Sequence, residues 1–149
     1  MKVSAGILLF KKQEAEYYFF LVHPGGPFWK NKDIGAWSIP KGEIEKDEDP
    51  LERARLEFKE ETGKEIGGNF IPLTPIRQKS GKQVKAWAVE GDIITAGCSS
   101  NLFALEWPPR SGKQVAFPEV DRWEWFTAAE AMQKINAAQL PFISEALAL

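Results

Sequence analysis

The sequence predicts an α+β fold in a single domain spanning residues 1–149. Runs rich in β-branched and aromatic residues lie on both sides of one strongly marked central helix, so strands and helix must share a core. A length of 149 residues fits one such core. Hydrophobic residues make up 44% of the chain and aromatics 12%, which is enough apolar matter for a compact interior and too much for a disordered chain.

The elements follow in order. Val3–Phe10 and Glu16–His23 read as two strands joined by a polar turn that begins at Lys11. The Pro and Gly content of the next stretch, His23 to Asp33, marks a loop. Ala36–Ile39 is a short apolar piece ended by Pro40. A helix over Pro50–Thr62 is signalled at both ends. Asp49 stands at the N-cap with Pro50 at the first helical position and Glu52 at the third, and Gly63 suits the C′ residue. Leu51, Ala54 and Phe58 carry the i, i+3, i+7 spacing of a face turned to the core. Beyond it, Asn69–Arg77, Gln83–Glu90, Leu102–Trp107 and Arg122–Phe126 read as strands. Thr127 with Glu130 opens a further helix by the capping-box pattern, and Pro141 opens a last one. No internal repeat or low-complexity tract interrupts this order.

Composition excludes several functions. Lys plus Arg number 19 and Asp plus Glu 21, a net charge of −2, which removes the basic footprint of a duplex-binding protein. The single Cys98 cannot form an internal disulfide or a Cys-based zinc cage, and suits a reducing cytosol. The single His23 rules out a metal site built on imidazoles. The apolar N-terminal run meets Lys11 and Lys12 too early for a signal peptide and reads as a strand. No stretch approaches the roughly 18 apolar residues that span a bilayer. The expected location is the cytoplasm. Oligomeric state has no signature in the sequence.

Charge along the chain is uneven. Between Lys41 and Glu65 there are ten acids and six bases, so this segment is strongly acidic while the remainder is mildly basic. Glu57, Glu60 and Glu61 stand at i, i+3 and i+4, which places their Cβ atoms about 5–6 Å apart on one helix face. Like charges so placed repel unless something compensates them. A hard divalent cation would do so, since Mg²⁺ takes carboxylate oxygens and keeps positions open for water and phosphate. The alternative reading of the same residues is a solvated acidic face.

The segment from Gly42 through Glu48 to Leu56-Glu57-Phe58-Lys59-Glu60-Glu61-Thr62-Gly63-Lys64 resembles the box of the Nudix hydrolases, which act on nucleoside diphosphate-linked moieties. Gly42, Glu48, Glu57, Glu60, Glu61 and Gly63 match its fixed positions, and Phe58 its apolar one. Leu56 stands where the family has Arg, and Lys64 where it has an apolar residue. The family Arg orients the box carboxylates, so Leu56 bears on catalytic efficiency more than on metal binding. Arg53, one turn before Glu57, is a candidate substitute, and Arg55 a poorer one. The resemblance extends to Trp37–Gly42, entering the box, and to Phe117–Asn136. It implies a Nudix-type α/β/α sandwich with a mixed central sheet and the box, residues 42–64, as loop-helix-loop.

What the resemblance implies for chemistry is Mg²⁺-dependent hydrolysis of a diphosphate linkage, with Mn²⁺ as an alternative ion. The substrate expected is a nucleoside or dinucleoside polyphosphate, releasing a nucleoside monophosphate. The metal ligands implied are Glu57, Glu60, Glu61 and the carbonyl of Lys41, whose ammonium can also meet phosphate. Such ions neutralise phosphate oxygens and acidify a bound water, which is most of what phosphoryl chemistry requires. Glu119 is a candidate general base or additional ligand, and Glu48 a residue that shapes the box loop. Arg110 and Lys113, in a Gly-containing turn, are candidates for phosphate contact, and Phe28 and Trp29 for stacking on a nucleobase. Trp87, Trp107, Trp123 and Trp125 read as core, His23 as structural, and Cys98 has no supporting constellation. A competing reading is a non-catalytic nucleotide- or partner-binding module, because Leu56 replaces the box Arg.

Overall fold

The computed structural model describes residues 2–149. In chain order the elements are β1 (Val3–Gln13), β2 (Glu16–Pro24), β3 (Lys41–Glu43), α1 (Pro50–Thr62), β4 (Ile71–Pro72), β5 (Ile76–Arg77) and β6 (Gln83–Glu90). They continue as β7 (Leu102–Glu106), β8 (Gln114–Pro118), β9 (Val120–Thr127), α2 (Ala128–Lys134) and α3 (Leu140–Leu147).

The main sheet has the strand order β4-β6-β1-β2-β9, with β3 paired to β1 and β5 to β6. Only β1 and β6 run parallel, so the sheet is mixed. The β1–β2 hairpin turns through Glu14 and Ala15, whose φ angles of 51° and 68° are the two left-handed positions of a type I′ turn. Centrally placed, β1 is buried from Ser4 to Phe10, as a strand covered on both faces must be.

Alternation along β1 divides the core into two layers. Ala5, Ile7 and Leu9 pack with Phe20, Val22 and the α1 residues Ala54 and Phe58. On the opposite face, Leu8 and Phe10 pack with Phe19, Leu21 and Trp37, and with Ala131 of α2 and Phe142 and Ile143 of α3. With helices on both faces of the sheet, the architecture is the α/β/α sandwich expected.

Helix α1 occupies the expected residues. Asp49 accepts a hydrogen bond from the Glu52 N–H (3.0 Å), Pro50 begins the helix, and Gly63 (φ 73°) ends it with its N–H on the Lys59 carbonyl (2.8 Å). Some strands differ from expectation. Asn69–Arg77 is two short strands, each paired to β6, with Leu73 donating to Ala86 O between them. Gln114–Pro118, not among the strands read from the sequence, is β8, which forms with β7 a separate two-stranded sheet. Ala36–Ile39 holds its place by single bridges, Ser38 to Val22 and Trp37 to Ile135. Trp107 is not core: it lies at the end of the β7–β8 hairpin with its ring 5.5 Å from that of Phe28. No helix among the described residues is long and apolar enough to cross a membrane.

Candidate active site

The box folds as loop-helix-loop, and its helix brings Glu57 and Glu61 onto one face, one turn apart. Glu119 reaches them from the junction of β8 and β9. One carboxylate oxygen from each of Glu57, Glu61 and Glu119 lies within 4.8 Å of the others. Glu60 stands beside this group rather than in it, yet its charge bears on both Glu57 and Glu119.

Each of these side chains is positioned by identifiable contacts. Gly42 lies beneath Glu57 so closely that a Cβ there would fall 2.0 Å from the Glu57 carboxyl carbon. Arg53 donates from Nη1 to Glu57 (2.9 Å) and from Nε and Nη2 to the two oxygens of Glu48 (3.0 and 2.6 Å). Glu48 in turn accepts from the Glu45 N–H (2.6 Å), which closes the box loop. The Glu119 backbone is held on both sides: its N–H donates to Asn101 O (2.8 Å) and its carbonyl accepts from Gly25 N–H (2.9 Å).

The electrostatics are those of a crowded carboxylate cluster that Arg53 and Lys41 compensate only in part. Burial, then repulsion from Glu57 and Glu119, pushes the Glu61 carboxyl well above the usual carboxylate range. Burial raises Glu57 as well, against the pull of Arg53, and burial with the Glu60 charge raises Glu119. Lys41 is lowered by burial and by Lys82, although Glu61 and Glu57 favour its charged form. Three carboxylates held together at the cost of their ionisation form a donor set suited to a hard cation, with oxygen ligands only. A divalent ion fits these residues.

The cluster opens on a cavity of about 690 Å³, in the size range of small-molecule sites. Glu61, Glu119 and Lys41 are among its lining residues, and Trp29 forms part of its wall. The wall also takes Gln78 and Lys79 from the β5–β6 turn and Asn136 and Gln139 from the segment between α2 and α3. No sequence motif marks these four residues, because they reach the cavity only through long-range folding. Phe28 is exposed and turned to Trp107, outside the cavity lining. Arg110 and Lys113 likewise stand away from it, in the β7–β8 turn. There the N–H groups of Arg110 and Gly112 are taken by the Glu106 carboxylate (3.1 and 3.2 Å). His23 is fully buried between Asp121 (2.7 Å) and the Lys32 carbonyl (2.7 Å), a structural setting.

A mixed sheet between helical layers, with a cluster of box carboxylates of which Glu61 lines a cavity, defines a Nudix-type protein. The NUDIX domain family model matches residues 1–146, and the chain belongs to the Nudix family. No curated protein matches it in sequence. Among solved structures it is similar to the Caenorhabditis elegans Ap4A hydrolase in a binary complex, at 17% identity and a TM-score of 0.67, over 97% of this chain and 95% of that one. It is similar also to the NUDIX domain of Shewanella oneidensis NrtR complexed with ADP ribose, at 17% identity and TM-score 0.68, over 98% and 86%. A mutT/nudix family protein from Listeria innocua gives 15% identity and TM-score 0.65, over 99% and 92%.

Proposed function

We propose that this protein is a metal-dependent pyrophosphohydrolase that cleaves a diphosphate linkage in a nucleoside or dinucleoside polyphosphate and releases a nucleoside monophosphate. The observation that carries the reading is the convergence of Glu57, Glu61 and Glu119 within 4.8 Å, with Glu61 and Glu119 lining a ligand-sized cavity. Those three, with Glu60 alongside and the Lys41 carbonyl, would hold Mg²⁺, or Mn²⁺ in its place. Bound there, the cation would supply neutralisation of phosphate oxygens and acidification of a water.

The chain's own groups do the rest. Lys41 meets phosphate from the cavity wall. Trp29 offers a face on which a nucleobase stacks. Glu119, whose raised affinity for protons comes from burial and Glu60, accepts a proton from water or completes the ligand set. The likeness of the fold to an Ap4A hydrolase and to a NUDIX domain complexed with ADP ribose supports a nucleotide ligand. A free thiol such as Cys98 fits a cytoplasmic setting.

The test is a panel of nucleotides incubated with Mg²⁺, scored for nucleoside monophosphate. At least one should turn over, and Glu61→Gln should lower kcat by about a hundredfold or more, the share of several kcal/mol that a metal clamp contributes. Tight nucleotide binding without product would favour the non-catalytic module. Unchanged turnover in Glu61→Gln would overturn the site.

A further inference from the structure

We infer that Arg53 is the positioning residue for the box carboxylates, and that the orienting cation of this site has moved from position 56 to position 53. The inference rests on the hydrolase reading above and names how that site is held together.

Leu56 is 41% exposed and makes no polar contact, so nothing at position 56 orients a carboxylate. Arg55 does not replace it: its guanidinium lies 5.0 Å over the Phe70 ring, away from the box acids. Arg53 does. Its side chain is only 15% exposed, and its fork holds Glu48 with two donors while the remaining arm reaches Glu57. The spacing allows this, since residues 53 and 57 are one helical turn apart on the same face. Glu48 lies in the loop before the helix, so a single guanidinium ties the box loop to the helix and fixes one oxygen of Glu57. Held in this way, Glu57 keeps a carboxylate oxygen within 4.8 Å of one each from Glu61 and Glu119.

The planar fork matters as much as the charge. Three hydrogen bonds to two carboxylates need donors at fixed angles in one plane, which guanidinium has and an ammonium lacks.

The experiment measures Mn²⁺ affinity by electron paramagnetic resonance, kcat and KM with one nucleotide that the wild type hydrolyses, and the melting temperature. The proteins are wild type, Arg53→Ala, Arg53→Lys and Leu56→Arg. Arg53→Ala should lose about 10–100-fold in Mn²⁺ affinity and in kcat, the usual cost of removing a group that orients a metal ligand. KM should move by less. Arg53→Lys keeps the charge but not the fork, and should still lose severalfold in affinity at a melting temperature close to wild type. It carries the test if Arg53→Ala does not fold. Leu56→Arg should stay within about twofold of wild type in both measurements, because the task is already performed.

An Arg53 variant that folds and keeps wild-type affinity and kcat overturns the proposal. So does a tenfold gain in either quantity for Leu56→Arg, which would mean that the position-56 cation is still missing. Absence of Mn²⁺ binding by the wild type overturns the hydrolase reading itself and the proposal with it.

Discussion

At the scale of single residues, the site depends on a side chain that is absent. Gly42 has an ordinary backbone conformation, so the reason for glycine there is space: a Cβ would meet the Glu57 carboxylate at 2.0–2.4 Å. An alanine would force the carboxylate off its place between Arg53 and the cluster without straining the backbone. Misplacement of a reacting or ligating group by about 1 Å costs on the order of a hundredfold in rate. Gly42→Ala should therefore lower kcat by roughly that factor. The matched control is Gly67→Ala, where the added methyl has open space and φ is not positive, and which should leave activity and melting temperature unchanged. Steady-state kinetics of the two variants side by side check this, and equal kcat in both would show that Gly42 does not set the position of Glu57. The box residues were legible in the sequence because their constraint is local: Gly42, Glu48, Glu57, Glu60 and Glu61 lie within one loop and one helix. The role of Glu48 as a shaper of the loop was legible for the same reason. Arg110 and Lys113 read as phosphate contacts from the chemistry of their turn alone; the turn stands away from the cavity lining, and Glu106 takes its Arg110 and Gly112 N–H groups.

At the scale of elements, the C-terminal turn of α1 is the joint on which the site hangs. A helix leaves its last four carbonyls without intrahelical partners. Here Lys59 O receives Gly63 N–H (2.8 Å), Glu60 O receives Asn101 N–H (3.0 Å), Glu61 O receives the Trp123 indole N–H (2.6 Å) and Thr62 O receives Ser99 N–H (3.0 Å). The segment 99–101 then turns to the other half of the cluster. Asn101 O accepts from Glu119 N–H (2.8 Å), and Ser100 Oγ accepts from Val120 N–H (3.0 Å). One short irregular stretch thus fixes both the end of the box helix and the loop that carries Glu119. Trp123→Phe keeps an aromatic ring but removes the donor to the Glu61 carbonyl. The orphaned carbonyl should cost about 1–3 kcal/mol, seen as a fall of several degrees in melting temperature at roughly 2–4 °C per kcal/mol. A parallel loss of kcat is expected, since Glu61 sits on the loosened turn. A melting curve identical to wild type would remove the indole from this account. The helix boundaries were readable because caps are written beside the helix they end. The joint was not readable: segment 99–101 has no periodicity, and its function lies in backbone groups meeting partners about 20 to 40 positions away. β8 was missed for a related reason, since Gln114–Pro118 is short, ends in Pro and earns its strand geometry only by pairing with β7.

At the scale of the whole molecule, the site stores an electrostatic conflict that ties folding to metal and to pH. Glu57, Glu61 and Glu119 all have carboxyls raised above their ordinary value of 4.5 in the folded chain, by burial and by neighbouring carboxylates, Glu60 acting on Glu57 and Glu119, and Glu57 and Glu119 acting on Glu61. A group whose affinity for protons is raised by folding stabilises the fold fully below its unfolded pKa. It loses that contribution as pH rises through the folded value. Metal-free protein should therefore be less stable near pH 8 than near pH 5 as far as this cluster is concerned. Glu48, lowered by its Arg53 hydrogen bonds, and Asp33, lowered by Lys134 and Trp37, act in the opposite sense. Their contribution is present above the ordinary carboxylate range and disappears as pH falls below it, so the metal-free melting temperature should pass through a maximum in mild acid. Mg²⁺ competes with protons for the same three carboxylates, and its stabilisation should grow with pH. At a concentration about 100 times its dissociation constant a ligand adds roughly 2.7 kcal/mol, or about 5–11 °C for a chain of this size. Melting temperatures recorded from pH 4 to 9 in chelator and in excess Mg²⁺ test the linkage in one experiment. The two curves should converge in acid and separate progressively above neutrality. Parallel curves, or a metal-free curve that rises steadily to pH 9, would mean that the three carboxylates are not the cation site and that their mutual repulsion is relieved by some other group in the fold.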